Sequence, residues 1–496
     1  MKIWLVSIVV AATTLFLPTA QADEPPCTGP AADDEWPTFG RDLANTRLQT
    51  EAGGISPLTT PTLHPVWAHS TGAPAATGDL NGTPIVSDGC VFLNTAAGKV
   101  VALDAATGAP VWSTTVPLDP GTAAGLGGIF VSSPAVHEGL VLALVSQVGS
   151  PYVIALSAAT GEVVWRSEPT MTGDGYYTNA TAVVAGDVLL AGFSPAEGDP
   201  KGQGGIALLD AHTGDLLQRV FAIPEADQGE YAGGGIWTAP AVDDDLYAYA
   251  GTSNPYSKKV EHQNTNAILK IDVDPTRDTF GTVVDSFKGV IEQYRQEVRD
   301  AVDPTCEAFG EDPNLQLIVG DSAPCLQLDL DFGSPPTLFP AADGAPLVGD
   351  LQKAGVFHAV RTSDMEREWD AIVGGSCAAC NAAAWAYDGD GHMIGASAPG
   401  SLEVALDQAG ALTWASPIGD GTHYQSTSIA GGVVFTVDNL GTLVAFDLAT
   451  GLPLLKRPVL ADAPGSVAPG VTSAGIAIAS GMVIVATGDV VVAYAP

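Results

Sequence analysis

An all-β fold, an eight-bladed β-propeller, is predicted by three features of this 496-residue chain. A short phrase recurs along almost its whole length, each copy reads as an alternating strand entering a tight turn, and helical patterning is nearly absent. Composition agrees. Hydrophobic residues make up 46% and charged residues 15%, which supplies a large core and is too apolar for a disordered chain. The 57 glycines and 36 prolines show no G-x-y period, so they suit many tight turns and exclude a collagen-like rod.

The phrase reads ALDAATGAPVW at 102–112, ALSAATGEVVW at 155–165, LLDAHTGDLLQ at 208–218, ALDQAGALTW at 405–414 and AFDLATGLPL at 445–454. Fainter copies are ILKIDVDPT at 268–276, HAVRTSDMEREW at 358–369 and VVAYAP at 491–496, making eight. In the clear copies an apolar strand ends, usually in Asp, and turns through a glycine that tolerates positive φ. A second strand follows, and Trp112, Trp165, Trp369 and Trp414 stand at one phase of it. A large aromatic there can dock between neighbouring units. Another strand pair precedes most copies, as in GTPIVSDGCVFLNT (82–95), SSPAVHEGLVLALV (132–145) and QSTSIAGGVVFTV (425–437). Four strands per unit, repeated without helical crossovers, describe propeller blades. The last copy stops before its outer strand, and VWAHST (66–71) has the character of the missing piece. The N-terminal segment is therefore expected to close the ring and remove its sheet edges.

Residues 1–22 read as a signal peptide: Lys2, an apolar stretch from Ile3 to Leu17, Pro18, and Ala20-Gln21-Ala22 as a cleavage site. The remainder, 23–496, is expected to form one propeller domain, periplasmic or secreted, and no later stretch is long and apolar enough to span a bilayer. An insertion is expected at about 277–328, in which FKGVIEQYRQEVRDAV (287–302) has the spacing of an amphipathic helix. Export permits disulfides. Proximity favours Cys306–Cys325 and Cys377–Cys380 among the six cysteines, and the latter pair lacks the histidine of a haem-attachment motif. The 56 acidic against 19 basic residues give a net charge of -37. That balance disfavours nucleic acid and anionic membranes and suits basic proteins and divalent cations. The eight histidines show no pair at zinc-ligand spacing, and no nucleophile elbow or phosphate loop occurs.

With the opening segment EWPTFGRDLANTR (35–47) and the tryptophan repeat, the chain resembles the pyrroloquinoline-quinone (PQQ)-dependent dehydrogenases. DLDFGSPPTLF (329–339) and LVGDLQKAGVFHAV (347–360) are similar to the polyvinyl-alcohol-dehydrogenase-like branch, here without a cytochrome module. The resemblance implies oxidation of a small or polymeric alcohol by hydride transfer to metal-bound PQQ, with a separate cytochrome c as electron acceptor. GGGIWTAPAV (233–242) resembles the segment whose tryptophan, here Trp237, forms a flat floor under the quinone. YAGTSNPYS (249–257) puts Asn254 on the metal, and AGFSPAEGD (191–199) puts Ser194 near the cofactor and Glu197 on the metal. Thr178 in YYTNATAVV matches a cofactor-contacting threonine, and Lys353 matches a residue that hydrogen-bonds the reactive carbonyls. Oxygen ligands of this kind suit calcium. In LQLDLDFGSPP (326–336) the preferred register makes Asp331 the catalytic base. The other register makes Asp329 the base and Asp331 an added metal ligand, as in lanthanide-using relatives.

Two departures stand out. No adjacent cysteine pair exists where the loop GTAAGLGGIFVSSP (121–134) lies, and CNAAAWAYD (380–388) leaves alanines where relatives carry a bulky cofactor neighbour. Weaker cofactor binding, a roomier pocket or loss of activity is expected. The competing expectation is a non-catalytic propeller, a binding or assembly scaffold of the cell envelope. Glu197, Asn254, Asp331 and Lys353 discriminate between the two, because a scaffold has no reason to bring them together.

Overall fold

The computed structural model describes residues 27–29, 31–72, 79–256, 261–289, 330–375, 381–398, 401–419, 425–463 and 475–496. These form eight sheets, each containing a four-stranded antiparallel blade; to the seventh, the short strand Leu48–Gln49 adds in parallel beside Ile429–Ala430. In chain order the blades span 85–115, 135–166, 183–221, 241–288, 337–372, 386–417, 428–458 and 476–495. The eighth is completed by His64–Ser70, which pairs antiparallel with Val490–Ala495 from His64 opposite Ala495 to Ser70 opposite Val490. The expected closure is thus observed. First strands of neighbouring blades touch one another around the axis. Middle strands such as Val433–Val437 are wholly buried, whereas the outer strand Pro110–Thr115 alternates toward solvent. Among the described residues no helix is long and apolar enough to cross a membrane.

The repeat phrase has a physical reason. Trp112 of the first blade donates its indole N–H to the Ala158 carbonyl of the second at 2.7 Å, and a Cβ on Gly161 would lie 2.5 Å from its ring. Gly161 therefore answers two demands, a φ of 71° and a tryptophan stacked on its Cα. Trp67 does the same to Ala105 at 2.9 Å, and Trp414 to Leu448 at 2.9 Å. Trp165 and Trp369 stack on Gly214 and Gly410, but their indole nitrogens are buried without a hydrogen-bond partner.

The opening segment fills the axis. Glu35 accepts the N–H groups of Asp88 and Gly89, in the hairpin turn between the first two strands of blade one, at 2.8 and 2.7 Å. From there the carbonyls of Leu43, Ala44, Thr46 and Arg47 accept N–H bonds from Val242, Leu338, Tyr387 and Ile429, one from each of blades four to seven. Arg47 is fully buried and donates to Thr427 O, Phe39 O, Thr83 Oγ1, Ser428 Oγ and Ile476 O at 2.5–3.3 Å. Cys27 and Cys90 form a disulfide that ties this segment to the first blade.

Residues 277–288, expected in the insertion, are instead the turn and outer strand of the fourth blade. Phe287 and Lys288 end the strand Val283–Lys288, opposite Ile268 and Ala267, rather than beginning a helix. The apolar positions at the end of this edge strand match the opening of a helical spacing, so the pattern alone does not mark the boundary. The rest of the expected helix, 290–302, and the pairs Cys306–Cys325 and Cys377–Cys380 lie outside the described residues.

Candidate functional site

Each blade presents two kinds of connection on one face: the loop between its second and third strands, and the link from its outer strand to the next blade. On this face short bridges stitch the two kinds together, Tyr177 to Ser194, Gly233 to Pro255, and Phe332 to Gln352. Apart from Glu197, which lies three residues beyond Ser194 in the same loop, every described sequence-derived candidate sits at or beside one of these bridges or on the link between blades three and four. Thr178 follows Tyr177, Asn254 precedes Pro255, Asp331 precedes Phe332, and Lys353 follows Gln352. Asp329 lies outside the described residues.

Asp331 and Lys353 form the centre. They are 6% and 7% exposed, and Lys353 Nζ stands 3.1 Å from Asp331 Oδ2. The Asn254 backbone N–H donates to Asp331 Oδ1 at 2.5 Å, and the Lys353 N–H donates to the Asp331 carbonyl at 2.9 Å. Lys353 occupies the turn just after the strand Pro346–Gln352, and its partner is this acid. Lys353 Nζ also lies 5.2 Å from the Trp237 ring centroid, within cation–π range. Trp237 is only half-buried, unlike the core tryptophans Trp36 and Trp385. Gly333 keeps the ring accessible to close approach, since a Cβ there would lie 2.9 Å from Trp237 Cη2.

The glycine run 233–235 draws the blade-three and blade-four loops together. A Cβ on Gly233 would meet Asn254 O at 2.4 Å, and one on Gly235 would meet Ser194 Oγ at 2.5 Å. Ser194 Oγ is buried with no hydrogen-bond partner, a state that native structures rarely leave without a reason. Thr178 is buried, and its hydroxyl already donates to the Gly192 carbonyl at 2.7 Å. Glu197 is exposed at the rim. It and Asp331 both act on Tyr256: burial pushes that phenol well above its ordinary range, and the charges of Asp331, Tyr177 and Glu197 add to the shift.

Sequence reasoning missed Tyr256, although it stands two residues after Asn254. It also missed the groups that hold Asp331 and Lys353. Asn381 donates its side-chain amide to Lys353 O at 3.2 Å and to Gly375 O at 3.0 Å, and accepts the Ala398 N–H at 2.9 Å. Gln352 donates to Leu330 O at 2.8 Å, while its oxygen meets His358 Nε2 at 3.0 Å, and His358 Nδ1 meets Asp370 at 2.7 Å. The segment marked only by its alanines thus contributes a positioning residue. Ala383 and Ala384 are buried, with the Ala383 carbonyl accepting from Ser334 Oγ at 2.7 Å. The loop in place of the cysteine pair reaches Tyr177 through Gly125, and its Leu126 is 74% exposed.

A family model described as outer membrane protein assembly factor BamB matches residues 26–149 and 123–269. A quinohemoprotein alcohol dehydrogenase of Comamonas testosteroni is 28% identical over 264 residues, 46% of this chain and 35% of that protein. A polyvinylalcohol dehydrogenase of Pseudomonas sp is 26% identical over 279 residues, 51% of this chain and 42% of that protein. The matched stretches therefore span well under two thirds of these relatives' own lengths. In structure, the Comamonas enzyme superposes with a TM-score of 0.70 at 19% identity, covering 94% of this chain and 81% of that one. A europium-containing methanol dehydrogenase gives 0.68 at 15% identity, covering 94% and 98%.

Proposed function

Starting from a chain that is a PQQ-dehydrogenase-like eight-bladed β-propeller, we propose that it is an exported quinoprotein that oxidises an alcohol. One observation carries the reading. A carboxylate and an ammonium, each under a tenth exposed, pair at 3.1 Å beside the half-buried face of Trp237. Taking both charges out of water costs several kcal/mol, a cost without return in a scaffold.

The residues fit the cofactor that the relatives' names imply. Bound PQQ supplies a hydride acceptor, and a cation supplies the Lewis acid that makes it electrophilic. Trp237 offers the aromatic floor, and the partnerless Ser194 Oγ offers a hydrogen-bond donor. Thr178, its hydroxyl already donating, packs against the cofactor rather than donating to it. Glu197, Asn254 and Asp331 would supply carboxylate and amide oxygens for Ca²⁺; in the other register Asp329 is the base and Asp331 the added carboxylate that a lanthanide takes. Asp331 accepts the hydroxyl proton of the alcohol. Lys353 keeps that carboxylate in place and donates toward the oxygen on which negative charge gathers.

The buried alanines at 383 and 384 and the open loop at 126 leave room for a small or polymeric alcohol. A net charge of -37 suits a separate cytochrome c with a basic face as electron acceptor. The leader-like residues 1–22 support a periplasmic or secreted site of action. A second reading, an assembly scaffold, is favoured by the description of the family model that matches 26–269. Dye-linked oxidation of primary alcohols separates the two. Chelator-treated full chain should turn over only after PQQ and Ca²⁺ or a lanthanide are both added. A protein that stays inactive and takes up no quinone is the scaffold.

A further inference from the structure

The opposite face of the propeller carries the turns between first and second strands and between third and fourth strands. At one interface these turns hold an unusual set. His137 ends the first strand of blade two, Asp187 lies in the first turn of blade three, and His212 lies in that blade's last turn. One potential ligand atom from each falls within 4.8 Å of the others. His212 Nε2 is 3.3 Å and His137 Nε2 3.7 Å from Asp187 Oδ1. A tetrahedral ion with bonds of about 2.0 Å has ligand-to-ligand edges of about 3.3 Å, so little movement closes the site.

No pair at zinc-ligand spacing is visible in the sequence, because His137 and His212 are brought together by the packing of two blades. The internal repeat shows that neither is needed for the fold. Ala106, Ala159 and Ala449 occupy the position of His212 in the sibling turns, and Ser87, Ala185 and Ala430 that of His137. The turns themselves are held by backbone bonds common to the blades: Ala211 N–H to Asp187 O at 2.9 Å corresponds to Ala105 to Gly89 and Ala158 to Gly139, both at 2.8 Å. The backbone of Asp187 is therefore fixed before any ion arrives.

Two further observations point to a ligand. His137 Nε2 is buried with no hydrogen-bond partner, on a side chain only 17% exposed. Glu138 Oε2 stands 3.9 Å from His212 Nδ1, where a carboxylate orients a metal-bound imidazole. The same interface also lacks one link of the repeat, since the Trp165 indole nitrogen has no partner where Trp112 has Ala158.

We propose that His137, Asp187 and His212 bind a divalent transition ion of the zinc type, which staples blade two to blade three. Two imidazoles and one carboxylate select Zn²⁺, Co²⁺ or Ni²⁺ over Ca²⁺ or a lanthanide. This site lies on the face opposite Asp331 and shares no residue with it. The test uses chelator-treated full chain without quinone, titrated calorimetrically with Zn²⁺ and spectroscopically with Co²⁺. One saturable equivalent, visible bands of tetrahedral Co²⁺ and a higher melting temperature with Zn²⁺ are expected, unaffected by excess Ca²⁺. His212→Ala and His137→Ala should each weaken binding by at least about tenfold, while both variants fold, as the sibling turns do with alanine or serine. Absence of saturable binding, or an affinity in both variants unchanged from that of the unaltered chain, overturns the proposal.

Discussion

The axial plug and the candidate site treat buried charge in opposite ways. Arg47 in the plug is enclosed by five hydrogen bonds and by the rings of Trp36 and Phe39, at 5.4 and 5.0 Å from its guanidinium carbon. Burial draws its pKa down to about 9, still cationic at neutral pH. Asp331 and Lys353 at the site are also buried, but they lie beside a half-buried ring and near a hydroxyl with no partner. A guanidinium whose three nitrogens all donate to the protein, as those of Arg47 do, can only hold blades together. Polar groups left without protein partners are what a ligand can take up.

The largest effect that sharpens this contrast is on the site side. Asp331→Asn keeps the size and one oxygen but cannot take the substrate proton. Turnover should fall by about 10²–10⁴-fold while quinone is retained. The same change at Asp329 should be milder. If Asp329→Asn is the inactive variant and Asp331→Asn chiefly alters metal preference, the other register of the acidic segment holds.

On the plug side, Arg47→Met should act on stability alone. It strands several buried acceptors, each worth about 1–3 kcal/mol, so chemical denaturation should show a loss of at least about 3 kcal/mol. Turnover per folded molecule should be unchanged. A variant that is stable but inactive would erase the distinction between plug and site.

A smaller effect follows from Glu403, which neighbours the plug through Thr427: the Thr427 carbonyl takes Arg47 Nε, and its hydroxyl donates to Glu403 at 2.6 Å. Burial pushes the Glu403 carboxyl up to about 8 from 4.5. The native state therefore holds a proton that the unfolded chain releases. Stability from this group is full below about pH 4.5, falls as pH rises toward 8, and levels off above that. Glu403→Gln should flatten that slope and gain on the order of a few kcal/mol at pH 8 relative to pH 5. Parallel slopes for the two proteins would place the Glu403 proton elsewhere.

The ring was legible because its information is periodic. The turn glycines and tryptophans recur at one phase, and His64–Ser70 fills the gap that the last copy leaves. The centre of the site was legible where a motif places a whole loop: Asp331, Asn254, Lys353 and Trp237 came from separate motifs, and the structure gathers them. What escaped has no period and no local spacing. Asn381 reaches Lys353 across 28 positions, Arg47 reaches Ile476 across 429, and His137 meets His212 only through blade packing. Cys27–Cys90 was hidden in the same way, since sequence proximity favours nearer cysteines and its two ends are 63 residues apart. The boundary at 287 failed for a different reason, because an edge strand and an amphipathic helix share their first few residues' pattern.

The central claim is that the loops of blades three to five hold a quinone together with a cation. An equilibrium titration of PQQ into metal-stripped full chain, followed by the quinone absorbance with and without Ca²⁺ or a lanthanide, tests it most directly. One-site saturable binding only in the presence of the cation is predicted. Equal binding in both conditions would remove the metal from the account, and no binding in either would contradict it outright.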